Sequence, residues 1–120
     1  MISYENTKTV GDLVWNTGRE YAGRVFLRYE ENDVVYEVTY DEFADQCRAV
    51  SAWLQEQDAA VGHKVRVGLM GSSSHHYLVF LLGVMASGNV VVPLDVQLNE
   101  ETFADNVNRS DLDILFYDWD

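Results

Sequence analysis

From Val65 to Tyr117 short apolar runs alternate with helical stretches, and this alternation limits the possible folds more than any other feature of the chain. The pattern predicts a strand at Val65 to Met70, a helix at His75 to Ser87 ending at Gly88, and a strand at Val90 to Leu94. A helix from Asn99 to Ser110, capped by Asn99, and a strand at Ile114 to Tyr117 complete it. Val90-Val91-Val92 is apolar without alternation, the mark of a strand covered on both faces. Tyr77 to Ala86 is apolar nearly all round, as in a helix sandwiched between layers. A β-α-β-α-β order assembles as parallel strands joined by right-handed crossovers. Pro93 has no N–H to give to a ladder, so it belongs at the end of its strand, where the chain leaves the sheet.

The preceding segment reads differently. Thr9 to Gly18 predicts a short helix capped by Thr9, with Val10, Leu13, Val14 and Thr17 on one face and Gly18 as the stop. Val25 to Tyr29 and Val34 to Val38 are β-rich runs separated by the polar Glu30-Glu31-Asn32-Asp33, which predicts an antiparallel hairpin. Thr39 followed three residues later by Glu42 is a capping box, so a helix starts at Tyr40. Phe43, Cys47, Val50 and Leu54 recur at steps of four, three and four and form one stripe. The helical pattern fades around Glu56, and Gly62 opens the connection to the next strand. The fold class is therefore α/β: a β-hairpin, a capped helix and a β-α-β-α-β parallel sheet.

Composition narrows the function. At 120 residues with 48% hydrophobic and 12% aromatic content the chain can bury a core without disulfides or metals, and it is not of disordered composition. A single cysteine cannot form an internal disulfide, which favours a reducing, cytoplasmic setting. The first ten residues have no apolar signal-peptide core, and the longest apolar run, Tyr77 to Ala86, is half of what a bilayer span needs. Without a secretory route, Asn108-Arg109-Ser110 is no glycosylation site. A net charge of -12 makes nucleic acid and anionic membrane poor partners. Half of that imbalance falls between Asn99 and Asp120, where seven acids face one base, Arg109. This is either a solvated acidic face or a contact with a basic neighbour, such as a later part of the same polypeptide.

Candidate chemistry is sparse. Gly71-Ser72-Ser73-Ser74 lies between a strand and a helix amino terminus, where backbone N–H groups and the helix dipole favour an anion. It lacks the Gly-Lys-Ser/Thr of a phosphate-binding loop and the three spaced glycines of a dinucleotide fingerprint, so it reads as a turn with a helix cap or as a ligand contact. His75 and His76 are adjacent and so point about 100° apart on a helix, which does not converge on a metal. One of them could touch a ligand at the helix start, and solvent or packing is the plainer reading. Asp41, Glu42 and Asp45 suit a helix amino terminus by charge alone. Cys47, on the apolar stripe, reads as a buried small hydrophobe. No catalytic set and no metal cluster emerges from the residues.

Three stretches together resemble the acyl-adenylate-forming (AMP-binding) superfamily of acyl-CoA synthetases, peptide-synthetase adenylation domains and luciferases. Val38-Thr39-Tyr40-Asp41-Glu42-Phe43 is similar to its Leu-Thr-Tyr-x-Glu-Leu motif, and Leu82 to Asp95 resembles the motif in which a helix ends at Gly and enters a Val-Pro-Leu strand. Val61 to Leu69 is similar to the family's Gly-Asp-x-Val approach to a strand. The likeness runs from about Thr9 to Tyr117. Departures are His63 where Asp is common, Asn89 where a small residue is common, and Gly71 to His76 in place of an Asn-Ser turn.

The resemblance implies an amino-terminal part of the family's large domain, residues 1–120, whose quoted motifs are scaffold. It implies a parent enzyme that joins a carboxylic acid to ATP, with magnesium, and passes the acyl group to a thiol. The Pro-Leu-Asp-x-Gln-Leu continuation from Pro93 to Leu98 leans toward a long-chain fatty acyl-CoA ligase, with CoA as acceptor. The family's Ser/Thr/Gly-rich loop with Lys, its aromatic-Thr-Glu segment, its ribose-binding Asp and its carboxy-terminal Lys all fall beyond residue 120 on this reading. No catalytic, cofactor-binding or metal residue is therefore assigned here, and the piece alone is expected to be inactive. The contrasting expectations are a self-contained α/β module using Gly71 to His76 as an anion site, and an oligomerisation domain. A truncated sheet also predicts self-association through its open edge.

Overall fold

The computed structural model describes residues 2–72, 74–94 and 100–117. The element order is α1 (Val10–Glu20), β1 (Val25–Glu31), β2 (Val34–Thr39), α2 (Tyr40–Val61), β3 (Arg66–Met70), α3 (His75–Ala86), β4 (Val90–Leu94), α4 (Glu100–Ser110) and β5 (Ile114–Tyr117). β1 and β2 form an antiparallel ribbon, and a separate parallel sheet has the order β4-β3-β5. The α/β class with hairpin, capped helix and parallel β-α-β-α-β unit is what the sequence predicts.

Local chemistry explains the boundaries. Asn32 and Asp33 both adopt positive φ, 53° and 65°, which lets two residues close the hairpin between strands longer than expected. At the start of α2 the Thr39 hydroxyl accepts from Glu42 N–H while the Glu42 carboxylate accepts from Thr39 N–H, the reciprocal box read from the sequence. α1 carries the same device between Thr9 and Asp12, which the sequence reading credits only with a cap.

Several boundaries depart from expectation. Gly18 does not stop α1, which continues to Glu20: a Cβ there would lie 2.7 Å from the Ala44 Cβ, so the glycine serves the close crossing with α2. The buried stripe of α1 is Gly11, Val14 and Gly18, and Leu13 is turned to solvent. α2 runs past Glu56 to Val61, because the stop is Gly62 in the left-handed region, at φ 81°. β3 begins at Arg66 rather than Val65, and α3 ends at Ala86 with Ser87 as its cap. Asn99, the expected cap of α4, lies outside the described residues.

Two cores hold the layers together. Val14, Val38, Phe43, Ala44, Cys47 and Val79 join α1, the hairpin, α2 and α3; Leu54, Val65, Val67 and Val84 join α2 and α3 to the parallel sheet. Val50 packs against both, and the Phe43, Cys47, Val50, Leu54 stripe runs the length of the seam. Helices α2 and α3 meet at Gly83, where a Cβ would stand 2.8 Å from Val50 Cβ. The apolar Tyr77 to Ala86 stretch is sandwiched, as its pattern demands. Val90 is not covered on both faces: β4 is an edge of this sheet and Val90 is 48% exposed. Pro93 stands opposite Leu69 one residue from the end of that edge strand, where a missing N–H is tolerated.

Candidate functional site

Strand order decides where a crevice can form. From β3 the chain crosses through α3 to β4 on one side, then returns through α4 to β5 on the other, so the strand order reverses beside β3. Ligands of open α/β sheets sit at such a switch point. Here it holds a cavity of about 230 Å³ between the ends of β3 and β5 and the start of α3. Its walls are apolar, with Leu69, Phe80 and Phe116, and Ser72, His76 and Tyr77 stand at its polar side. The Phe80 and Phe116 rings lie 4.7 Å apart, and Trp53 meets Phe116 from α2 at 5.8 Å.

The loop residues divide their roles. Ser74 is the cap of α3: its hydroxyl accepts from Tyr77 N–H at 3.1 Å. Ser72 is an exposed hydroxyl at the cavity, and Ser73 lies outside the described residues. His75 turns inward and is 7% exposed, its ring stacked on Tyr29 at 5.1 Å and its Nε2 2.7 Å from Gln46 Oε1. Burial, reinforced by the neighbouring His76, holds its pKa below the ordinary imidazole value, and Nδ1 is buried without a partner. His76 faces the cavity. Tyr36, Tyr29, His75 and His76 thus form a ladder of rings, at successive spacings of 5.2, 5.1 and 5.0 Å, from the hairpin to the crevice. His63 lies apart from all of these, its Nδ1 3.1 Å from Lys64 O.

The acids at the start of α2 are structural. Asp41 accepts from Gly23 N–H at 2.8 Å, and that bond leads in lowering its pKa; Asp45 pairs with Arg48. Cys47 is buried, and burial pushes its thiol up to about 12, far from a nucleophile. Asp58 is a residue the sequence reading passed over. Its carboxylate accepts from Val65 N–H at 2.9 Å, Asn89 Nδ2 at 3.2 Å and Lys64 Nζ at 3.3 Å, tying the end of α2 to β3 and to the α3–β4 connection. Burial works to raise its pKa, and these bonds outweigh burial and lower it. The available signal was an acid in the last turn of the helix, four residues before the Gly62 stop, where the dipole disfavours negative charge.

Among the described residues no basic side chain lines the crevice. All eight basic side chains are engaged away from the crevice. Arg28 pairs with Glu37, Arg48 with Asp45, Lys64 with Asp58 and Arg109 with Asp105. Arg66 donates to Ser110 O, Arg19 to Asn16, and Lys8 and Arg24 lie over the Tyr4 and Tyr21 rings. Among the described residues no group of three His, Cys, Asp or Glu could hold a metal ion, and no helix is long and apolar enough to cross a membrane.

Comparison with known proteins identifies the family and the fold. Residues 14–119 match the family described as AMP-binding enzyme. The polyketide synthase-nonribosomal peptide synthetase phmA of Phaeosphaeria nodorum is 24% identical over 110 residues, 92% of this chain and 3% of that protein. The N-terminal subdomain of Klebsiella oxytoca NpsA, solved in complex with anthranilyl-AMSN, superposes with a TM-score of 0.78 at 25% identity, over 93% of this chain and 28% of that one. A fatty acid AMP ligase from Legionella pneumophila has the same fold, with a TM-score of 0.77 at 19% identity over 98% of this chain and 21% of that one. The chain therefore spans a small part of each of these relatives.

Proposed function

The chain belongs to the AMP-binding enzyme family, and on that premise we propose that residues 1–120 form the amino-terminal scaffold of an adenylation unit. The unit activates a carboxylic acid with ATP and magnesium as an acyl-adenylate, releasing pyrophosphate, and then hands the acyl group to a thiol. The observation that carries this reading is the family match over residues 14–119 on a parallel β-α-β-α-β unit whose eight cations are all engaged elsewhere. Stabilising the charge that develops on a phosphate calls on preorganised cations, and none of the eight basic side chains lines the crevice. We therefore place the catalytic, nucleotide and metal groups of the unit outside this stretch, in the remainder of the same polypeptide.

The acceptor we favour is a thiol on a carrier protein. This rests on the name of the relative phmA, a nonribosomal peptide synthetase, whereas the sequence alone leaned toward CoA and a long-chain fatty acid. The fatty acyl-CoA ligase reading keeps one specific support, the Pro93 to Leu98 continuation. A cytoplasmic location fits either.

The deciding experiment loads a longer polypeptide containing this stretch with radiolabelled acids in the presence of ATP, and offers carrier protein and CoA in parallel. Thioester on the carrier supports the favoured reading, and acyl-CoA formation supports the second. Failure of every acid to give an adenylate would overturn both.

A further inference from the structure

One buried ring joins the hairpin to the start of α3. Of residues 28–37, Tyr29 alone is not exposed, so the distal half of the ribbon meets the body of the chain through that side chain. Its ring lies on His75, 5.1 Å away and nearly parallel. The base of the ribbon is fastened separately, by Phe26 against Tyr40 and Phe43 and by the buried Val38. The register irregularity between Val25 and Leu27 also lies at that base, and such bulges are where a ribbon bends. A two-stranded ribbon is marginal alone, so its distal half depends on staying docked.

His75 has no place for a second proton. Its Nε2 stands 2.7 Å from Gln46 Oε1, and its Nδ1 is buried without a partner. An imidazolium donates at both nitrogens, and at the first residue of α3 its charge would oppose the helix dipole. The surroundings do not offset this. β1 contributes the Tyr29 phenol, β2 stands behind it with Tyr36, α2 supplies the neutral Gln46 amide, and α3 adds His76, whose charge would repel. Arg28 and Glu30, flanking Tyr29, project from the opposite face of the strand, and Asp45, beside Gln46, is paired with Arg48. Because Nδ1 has no exposed surface, a further stretch of polypeptide can reach it only if the ring moves. We propose that protonation of His75 drives its ring off Tyr29 and frees the distal hairpin, making this stack an acid-sensitive latch between the ribbon and the crevice wall at the start of α3. Burial, with His76 adding to it, lowers the pKa of the docked ring, so opening takes up a proton and is favoured as pH falls. The latch does not rest on the proposed reaction.

The test follows amide hydrogen exchange by NMR in the 120-residue chain and in a longer polypeptide containing it. His75→Gln and His75→Phe, neither of which can titrate, are the references, and comparison at equal pH cancels the intrinsic pH dependence of exchange. Relative to them, wild-type amides from Tyr29 to Tyr36 should lose protection by up to about tenfold per pH unit below about 6.5, while those of α2 keep theirs. His76→Gln should retain this loss, and the His75 ring protons should titrate below the ordinary imidazole value. Equal protection in wild type and both references at every pH would show that His75 is no latch. Simultaneous loss in α2 would mean global unfolding, and disappearance of the effect in His76→Gln would assign it to the exposed histidine. Protection that persists at low pH in the longer polypeptide would mean that later segments clamp the ribbon. Each of these four results overturns the proposal.

Discussion

Cys47 has no exposed surface, and its sulfur makes only a weak contact with Val79 O at 3.8 Å. With the thiol raised to about 12, the native protein should resist iodoacetamide at pH 8 and react only when denaturant opens it. Alkylation of the native chain at the rate of free cysteine, followed by mass spectrometry, would refute the packing described for α2. His75 gives a second test. Its folded pKa lies below the ordinary 6.5, so below about pH 6.5 the unfolded chain takes up a proton that the folded ring refuses. Stability is therefore complete above that value and should decline as the pH falls below about 6.5. Denaturant midpoints measured as the pH is lowered below about 6.5 should fall more steeply for wild type than for His75→Gln. An unchanged slope in the variant would mean that the imidazole is not buried against Tyr29.

At the scale of elements, the capping box and the helix crossing carry separate costs. Thr39→Ala removes one side of the box and should lower stability by about 1 kcal/mol. Gly83→Val pushes into Val50, for which overpacking costs of about 1–3 kcal/mol are usual, so its urea midpoint should fall further than that of Thr39→Ala. The reverse order would indicate that α2 and α3 are not in close contact. The same residues show what the sequence makes legible. Thr39 with Glu42 and the stripe from Phe43 to Leu54 are local patterns, so the start and buried face of α2 could be read directly. Gly18 and Gly83 are different: a glycine that ends a helix and one that admits a neighbour look alike until the neighbour is placed. The exposure of Val90 also escaped, because an apolar run says that a strand can be covered on both faces but not whether this chain supplies the cover. The crevice follows from the β4-β3-β5 order, which the alternation of elements permits but does not specify. The inward turn of His75 depends on Tyr29, distant in sequence, so the sequence does not distinguish ligand, solvent and packing there.

Across the whole molecule, what matters for phosphate chemistry is where the eight cations are spent. Each neutralises a neighbour, caps a carbonyl or covers a ring, and none reaches the crevice. That distribution suits a framework that positions the machinery of an adenylation unit rather than the machinery itself. ATP–pyrophosphate exchange, run over a panel of carboxylic acids, tests this most directly. The account predicts acid-dependent exchange from a longer polypeptide containing this stretch and none above background from residues 1–120 alone. Acid-dependent exchange by the 120-residue chain itself would contradict it.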